Sequence, residues 1–513
     1  VTEIDTIERF DTGVTRVPHY AMFLGGKWID TADRYEIRSP ASEEVIATAA
    51  RGSVADADAA VAAAVAAHRD GAWRTTLPAR RAEILRSVAD RFAERSYDLA
   101  AIHAQEIGAT IRAAEPFHFG AALGYMNYFA DATASYKFQR GGPMISPVLA
   151  TGIIRREPIG VCAAIVPWNI PLPLAVWKIF PALGAGNTVV VKPDETAPLM
   201  LLELARELEA AGLPAGVFNV VTGDGETVGA RLADHPDVRK IGFTGSTAVG
   251  KEVMRRAAGN VKNVTLELGG KGANIVCTDA DIDTAVDGSL FAFLTHSGQG
   301  CESGTRLLLP ESLHDDFVER MVRRVATLKF GDPMDYDTDL GPVHSAEHRD
   351  RILAYIQQGL DEGATLACGG GSPNGPLFDK GFWVEPTIFT DVTNDMTIAR
   401  EEIFGPVLSV IKYRTIDEAV AIANDTEYGL SAGVWTRDIQ QGLDIAEALE
   451  AGMVWVNDWH VVYPGYPFGG MKQSGIGREG AEDALDAYTE PKMVTVDLSG
   501  GVDGKAYGML FSS

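Results

Sequence analysis

Two residues far apart in the chain have the types needed for a covalent carbonyl reaction. One is Cys301, in the run Ser297-Gly298-Gln299-Gly300-Cys301, and the other is Glu267, in the strand-like run Val264-Thr265-Leu266-Glu267-Leu268-Gly269-Gly270. A thiolate attacks a carbonyl carbon, and a carboxylate can later activate water to release the acyl group, so the pair covers both halves of an oxidation or a hydrolysis. Alone, Cys301 fits a hydrolase, a redox thiol or a core residue equally well. Val264, Leu266 and Leu268 share one face of an alternating strand, which leaves Thr265 and Glu267 on the other, toward solvent or a cleft.

Other candidates sit where apolar runs end. After residues 161–166 the chain turns through Pro167-Trp168-Asn169-Ile170-Pro171, whose prolines hold Asn169 in a non-helical bend. The Asn169 amide can donate to a developing oxyanion or satisfy its own turn. After residues 188–191 comes Lys192-Pro193-Asp194-Glu195, and a carboxylate just past the second strand of a nucleotide-binding half is where a ribose diol is held. A solvated loop charge is the plainer reading of that position. After residues 240–243 comes Thr244-Gly245-Ser246-Thr247, where Ser246 and the free N–H groups of a first helical turn suit a pyrophosphate as well as a simple helix cap.

These positions need a scaffold of alternating strands and helices. Residues 57–69, 78–108 and 199–211 have helical spacing, the last stopped by Gly212 and Pro214, and short β-branched runs lie at 161–166, 188–191, 217–221 and 240–243. That alternation predicts an α/β fold built on a doubly wound parallel sheet. A second α/β series runs from Gly272 to about Gly480, with strands expected at 305–309, 407–413 and 453–456. Residues 138–158 and 491–498 read as exposed strands that pair across a subunit interface.

Composition removes several classes of function. The 513 residues are 46% hydrophobic, with 45 Lys and Arg against 70 Asp and Glu, and the net charge of −25 repels nucleic acid and anionic lipid. Four cysteines (Cys162, Cys277, Cys301, Cys368) without paired spacing indicate no disulfide framework or zinc site and suit the cytoplasm. Residues 1–13 lack an apolar core and do not read as a signal peptide. The uncharged stretch 159–177 is long enough to span a bilayer, but Pro167, Pro171 and Pro173 argue for a buried strand and a turn.

Three motif matches lack their context. Gly475-Ile476-Gly477-Arg478-Glu479-Gly480 follows no strand, and residues 245–251 (GSTAVGK) continue with Glu252 where a phosphate loop needs a hydroxyl. His344-Ser345-Ala346-Glu347-His348 reads as the solvated start of a helix behind a Ser cap.

The candidates form a recognisable set. Pro167-Trp168-Asn169, residues 192–195 and 243–246, Glu267-Leu268-Gly269-Gly270, Gly298-Gln299-Gly300-Cys301, Glu402-Ile403-Phe404-Gly405-Pro406 and Pro467-Phe468-Gly469-Gly470 follow in this order. The chain resembles the NAD(P)-dependent aldehyde dehydrogenase superfamily over nearly all of residues 20–500. The resemblance implies a Rossmann-type coenzyme domain (1–137 and 159–268), an α/β catalytic domain (269–480), oligomerisation strands (138–158 and 486–498) and a C-terminal tail (499–513). A homodimer or homotetramer is expected.

The implied reaction is NAD-dependent oxidation of an aldehyde to a carboxylic acid, EC 1.2.1.-, through a thiohemiacetal and a thioester on Cys301. Asn169 and the Cys301 N–H hold the oxyanion, and Glu267 activates water. By the same resemblance, Lys192 and Glu195 contact the adenosine ribose, Gly225 and Gly229 wall the adenine, Ser246 meets the pyrophosphate, Trp168 flanks the site, and Glu402 and Phe404 hold the nicotinamide end. Glu195 repels a 2′-phosphate, which favours NAD over NADP. Ile170, Leu174, Trp177, Trp459 and Phe468, with Tyr125 or Met126, form an apolar tunnel for an aliphatic or aromatic aldehyde, and Asp458 and His460 can add a polar contact at its mouth. A non-redox thiol esterase or a structural protein on the same fold is the alternative. Glu302, beside the thiol, is expected to point outward, since a neighbouring carboxylate raises a thiol pKa. His296 is expected to line the pocket and not to pair with Cys301.

Overall fold

The apolar runs become the parallel strands of two sheets in the computed structural model, which describes residues 17–144, 149–502, 505–509 and 511. The reading of residues 1–13 lies outside the described residues, as do parts of 138–158 and of the tail 499–513. The first sheet has eight strands, ordered Gly475–Ile476, Asn263–Glu267, Val238–Thr244, Val161–Val166, Thr188–Pro193, Phe218–Val220, Met22–Leu24 and Lys27–Ile29. From Asn263–Glu267 to Phe218–Val220 the neighbours are parallel, and antiparallel strands extend both ends.

Val161–Val166 shows why this sheet is apolar on both sides. Val161, Ala163 and Ile165 join one core cluster with the helix Val54–Asp70, while Cys162, Ala164 and Val166 join another with the helices Pro171–Gly184 and Leu199–Ala210. From this strand the chain goes to Thr188–Pro193 and Phe218–Val220 on one side, then crosses to Val238–Thr244 on the other. That reversal opens a crevice past the carboxyl ends of Val161–Val166 and Val238–Thr244, where doubly wound sheets bind ligands. The helical tract expected at 78–108 divides at Arg95 into Pro78–Glu94 and Ser96–Ile107. No helix of the described residues is long and apolar enough to cross a membrane.

The second sheet has seven strands, ordered Thr365–Cys368, Thr387–Thr390, Val407–Tyr413, Arg306–Pro310, Ala273–Val276, Ser431–Trp435 and Met453–Val456. All neighbours but the first pair are parallel. The two sheets are tied where Gly475–Ile476, late in the chain, pairs with Leu266 and Glu267.

The exposed strands form a small sheet of their own. Ala150–Pro158 pairs antiparallel with Thr489–Asp497 along its whole length and with Gln139–Gly141 on its other side. Each has a ladder partner within the chain, because the return of the chain end beside Ala150–Pro158 satisfies backbone groups on that side, while Thr489–Asp497 and Gln139–Gly141 form the two edges of this small sheet.

Trp459, expected to line a tunnel, is fully buried and packs beneath the Cys301 loop. Its indole N–H donates to the Glu302 carbonyl at 2.9 Å, and its ring lies against Gly433 and Gly304, where a Cβ on either residue would overlap it. Gly433→Ala is therefore expected to lower stability by about 1–3 kcal/mol through overpacking, read as a drop in Tm, with the Cys301 loop becoming more accessible to protease.

Candidate active site

Each predicted catalytic side chain stands at the end of a strand or in the loop that meets it. Glu267 closes Asn263–Glu267, Asn169 lies in the bend after Val161–Val166, and Cys301 follows a tight segment in which His296 and Ser297 have positive φ values of 50° and 54°. The Asn169 amide donates to the Gln299 carbonyl at 2.9 Å, which fastens the bend to the Cys301 loop. Gly270 is required on the other side: a Cβ there would overlap the Cys301 carbonyl. The structure thus brings Cys301, Asn169 and the end of the Glu267 strand together.

Gln299 is a hub that sequence reasoning missed. It is fully buried, donates from its amide to the His296 carbonyl at 2.9 Å and accepts from the His344 backbone N–H at 2.8 Å. Its place in the motif was visible, but its partners were not.

Glu267 is 1% exposed and faces neither solvent nor an open cleft. Neither of its oxygens has a hydrogen-bond partner among the described residues. Burial raises its pKa well above the ordinary carboxylate range and the nearby Glu479 adds to this, while Lys178 and Arg478 oppose it. Gly469, at φ 151°, leaves room for it, since a Cβ there would come within 2.7 Å of Glu267 Oε1. A buried carboxylate with a raised pKa and free lone pairs is suited to act as a general base on water.

Lys178 and Glu479 were also missed. The Lys178 ammonium, on the buried helix Pro171–Gly184, lies 2.8 Å from Glu479 Oε1 and donates to Thr244 Oγ1 at 2.6 Å. Glu479 lies inside the G-x-G-x-x-G match, which opens on the short strand Gly475–Ile476, and Lys178 directly follows the long uncharged stretch. A lone cation after so apolar a run was the available signal.

Glu302 contradicts the expectation that it points outward. Its Oε2 accepts from the Cys301 thiol at 3.4 Å, its Oε1 lies 3.0 Å from His460 Nδ1, and its side chain is 13% exposed. Burial works against its charge, but the hydrogen bond and charge of His460 outweigh burial and hold the carboxyl below its ordinary pKa. Burial, then Glu302, Glu402 and Glu267, push the Cys301 thiol well above its usual value. His296 packs edge to face on His118 at 5.6 Å and its Nε2 has no partner among the described residues.

The coenzyme candidates gather around the crevice. Lys192 Nζ donates to Glu195 Oε2 at 2.8 Å, and Gly225 stands opposite that ammonium in the one-turn segment Gly225–Gly229. Ser246 caps the helix Thr247–Ala257 by accepting from the Val249 N–H at 3.3 Å, and the N-terminal turn it caps follows the end of the strand Val238–Thr244. The Glu402 carboxylate accepts from the Gly270 N–H at 2.9 Å, and burial raises its pKa to about 7. Phe404, at φ 61°, lies edge to face on Trp168 at 5.6 Å.

The histidines at 344 and 348 need correction. Ser345 caps the helix Ala346–Asp361 as expected, but His344 is buried and stacks flat on Trp168 at 4.1 Å, and His348 Nε2 donates to the Phe404 carbonyl at 2.7 Å. Burial lowers their pKa values to about 3 and about 4. Neutral imidazoles here pack the Trp168 wall, which a solvated helix start would not do. Among the described residues no group of His, Cys, Asp or Glu is arranged to hold a metal ion.

Of the residues expected to form an apolar tunnel, the Trp177 ring lies 4.5 Å from Phe468 and 5.1 Å from Tyr125, and Leu174, Ile170 and Met126 pack in the same apolar cluster.

The model of the aldehyde dehydrogenase family matches residues 28–494, and the chain belongs to that family. It is 42% identical to the betaine aldehyde dehydrogenase of Bacillus subtilis (strain 168), over 92% of this chain and 96% of that one. It is also 42% identical to the cytosolic 10-formyltetrahydrofolate dehydrogenase of Xenopus tropicalis, over 96% of this chain; the chain spans 55% of that longer relative. Among solved structures, the betaine aldehyde dehydrogenase of Staphylococcus aureus in complex with NAD+ superposes with a TM-score of 0.92 at 36% identity, covering 94% of this chain and 95% of that one.

The raised thiol pKa sets a measurable expectation. Alkylation of Cys301 by the neutral reagent iodoacetamide should keep accelerating with pH above the ordinary thiol range of about 8.5, and Glu302→Gln, which removes a negative neighbour, should move that rise to lower pH.

Proposed function

We propose that this chain oxidises an aldehyde to its carboxylic acid with NAD as coenzyme, holding the acyl group on Cys301 and releasing it with water. The observation that carries this is one buried centre containing a thiol, an amide donor and a carboxylate with free lone pairs, beside a crevice of a doubly wound sheet. The NAD+ complexes of structural relatives support the coenzyme. Lys192, Glu195, Gly225, Gly229, Ser246, Trp168, Glu402 and Phe404 would hold it. The pairing of Glu195 with Lys192 fits a ribose diol, and a 2′-phosphate would meet the carboxylate. Four free cysteines fit a reducing compartment such as the cytoplasm.

The side chains divide the work. Cys301 Sγ adds to the carbonyl carbon, its proton passes to water, and the oxyanion is met by the Asn169 amide and the Cys301 N–H. NAD, when bound, supplies the hydride acceptor. Glu267 then takes a proton from water as the water oxygen attacks the thioester, which frees the acid and restores the thiol. Lys178 and Glu479 set the proton affinity of Glu267. The apolar wall of Trp177, Phe468 and Tyr125 suits an aldehyde with an aliphatic or aromatic body.

NADH absorbance with a panel of aldehydes tests the proposal. No NADH from any aldehyde, with ester cleavage intact, would leave a thiol esterase in its place. Glu267→Gln is expected to give a burst of NADH near one equivalent per site followed by slow turnover, because addition and oxidation survive and hydrolysis does not. A loss of the burst together with turnover would remove Glu267 from the release step alone.

The pH dependence follows from the direction of the Glu267 shift. A base works only when deprotonated, so hydrolytic release should climb with pH through a range above that of ordinary carboxylates. Glu479→Gln removes a like charge and should move this limb to lower pH, whereas Lys178→Met should move it higher; unchanged profiles in both variants would sever the link. Glu195→Gln should raise the kcat/KM ratio of NADP to NAD.

A further inference from the structure

Glu302 is an ionised group placed where a reaction with an apolar substrate gives it nothing to do. Its carboxylate is 13% exposed at the side chain and touches the nucleophile directly, with Oε2 at 3.4 Å from Cys301 Sγ. A buried carboxylate costs free energy unless its oxygens are hydrogen-bonded. Oε1 is satisfied by His460 Nδ1 at 3.0 Å. Oε2 accepts from the thiol hydrogen of Cys301 at 3.4 Å.

The surroundings hold this arrangement in place. The Glu302 carbonyl accepts from Trp459 Nε1 at 2.9 Å and from Ser431 Oγ at 2.8 Å, which fixes the backbone from which the side chain springs. His460 sits at φ 57° and packs edge to face on Phe291 at 5.1 Å, so its ring is held by the loop and not by chance contact. The histidine presents its donor to Glu302 through a backbone conformation that a non-glycine residue rarely adopts.

The resting donor is lost during the reaction. Once Sγ is bonded to carbon it carries no hydrogen, and Oε2 loses the donor that the thiol supplied. The carbons next to the bonded carbonyl carbon then pass within hydrogen-bond reach of Oε2, because that oxygen already stands at 3.4 Å from Sγ.

We propose that Glu302, positioned by His460, is a specificity residue that accepts a hydrogen bond from a hydroxyl or ammonium group carried near the carbonyl of the aldehyde, so that the substrate is an aldehyde with a donor close to its reacting end. This rests on the aldehyde-oxidising function proposed above. An alkyl chain leaves Oε2 unpaired and is disfavoured, and a carboxylate-bearing aldehyde is repelled. The apolar wall of Trp177 and Phe468 accommodates the remainder of the molecule.

Matched aldehydes test the assignment. In the full-length enzyme with NAD, 3-hydroxypropanal and 3-aminopropanal should exceed the isosteric butanal in kcat/KM by about tenfold or more, the scale of a hydrogen bond to a buried charge. Succinic semialdehyde should fall below butanal. Glu302→Gln, which keeps shape and an acceptor but removes charge, should shrink the hydroxyl preference and abolish the ammonium preference; Glu302→Ala should abolish both, and Glu302→Asp should restore part of them. His460→Asn should reduce the preference while NADH is still formed from the donor aldehydes. A wild-type ratio near one, or a ratio unchanged in both Glu302→Gln and Glu302→Ala, overturns the assignment. Failure of the underlying reaction looks different: butanal, the donor aldehydes and the anionic aldehyde would then all yield no NADH.

Discussion

The negative charge of three carboxylates, Glu302, Glu402 and Glu267, falls on a single half-buried thiol, and the rest of the site is arranged around that repulsion. Like charges in a medium of low dielectric constant cannot all stay ionised unless each has its own partner. The partners differ. Glu302 has the His460 ring, Glu402 has the Gly270 N–H, and Glu267 has only the fields of Arg478 and of Lys178, the latter committed to Glu479. The three therefore differ in proton affinity: Glu302 is held below its ordinary value, Glu402 rises to about 7, and Glu267, buried without a bonded donor, is pushed well above its ordinary value. Environments that push similar groups apart assign them different work.

The fold supplies those partners from distant stretches of chain. The two sheets meet where Gly475–Ile476 pairs with the strand that ends in Glu267, and the same late segment continues to Glu479, which reaches Lys178 on a helix of the first layer. Close approach is possible because glycines stand at the tight points: Gly270 against the Cys301 carbonyl and Gly469 against the Glu267 carboxylate. Strand ends and loops thus converge while the sheets bear the packing.

The parallel strands, the helical covers and the convergence of Cys301, Glu267 and Asn169 were legible because period, turn residues and motif order are local properties of the sequence. The direction of a side chain next to such a motif is not local. Glu302 was expected to face outward because a carboxylate beside a thiol is unfavourable, yet its orientation is decided by His460, 158 residues later. His344 and His348 carried a correct Ser345 cap, but their burial depends on Trp168 and Phe404, from other parts of the chain. Lys178 was hidden at the end of an apolar run and Glu479 inside a motif dismissed for want of a strand. Their meaning exists only as a pair.

The two ends of the exposed-strand expectation illustrate the same limit from the backbone side. Unpaired ladder groups in Ala150–Pro158 do demand a partner, and that demand was readable. Which strand answers it is a matter of topology: Thr489–Asp497 returns after both sheets are complete and pairs along the full length. A local rule states that a group must be satisfied, and only the assembled chain states by what. The same distinction governs the active centre, where a thiol beside a carboxylate is a penalty in isolation and becomes a tuned arrangement once a histidine from a strained loop holds that carboxylate ionised.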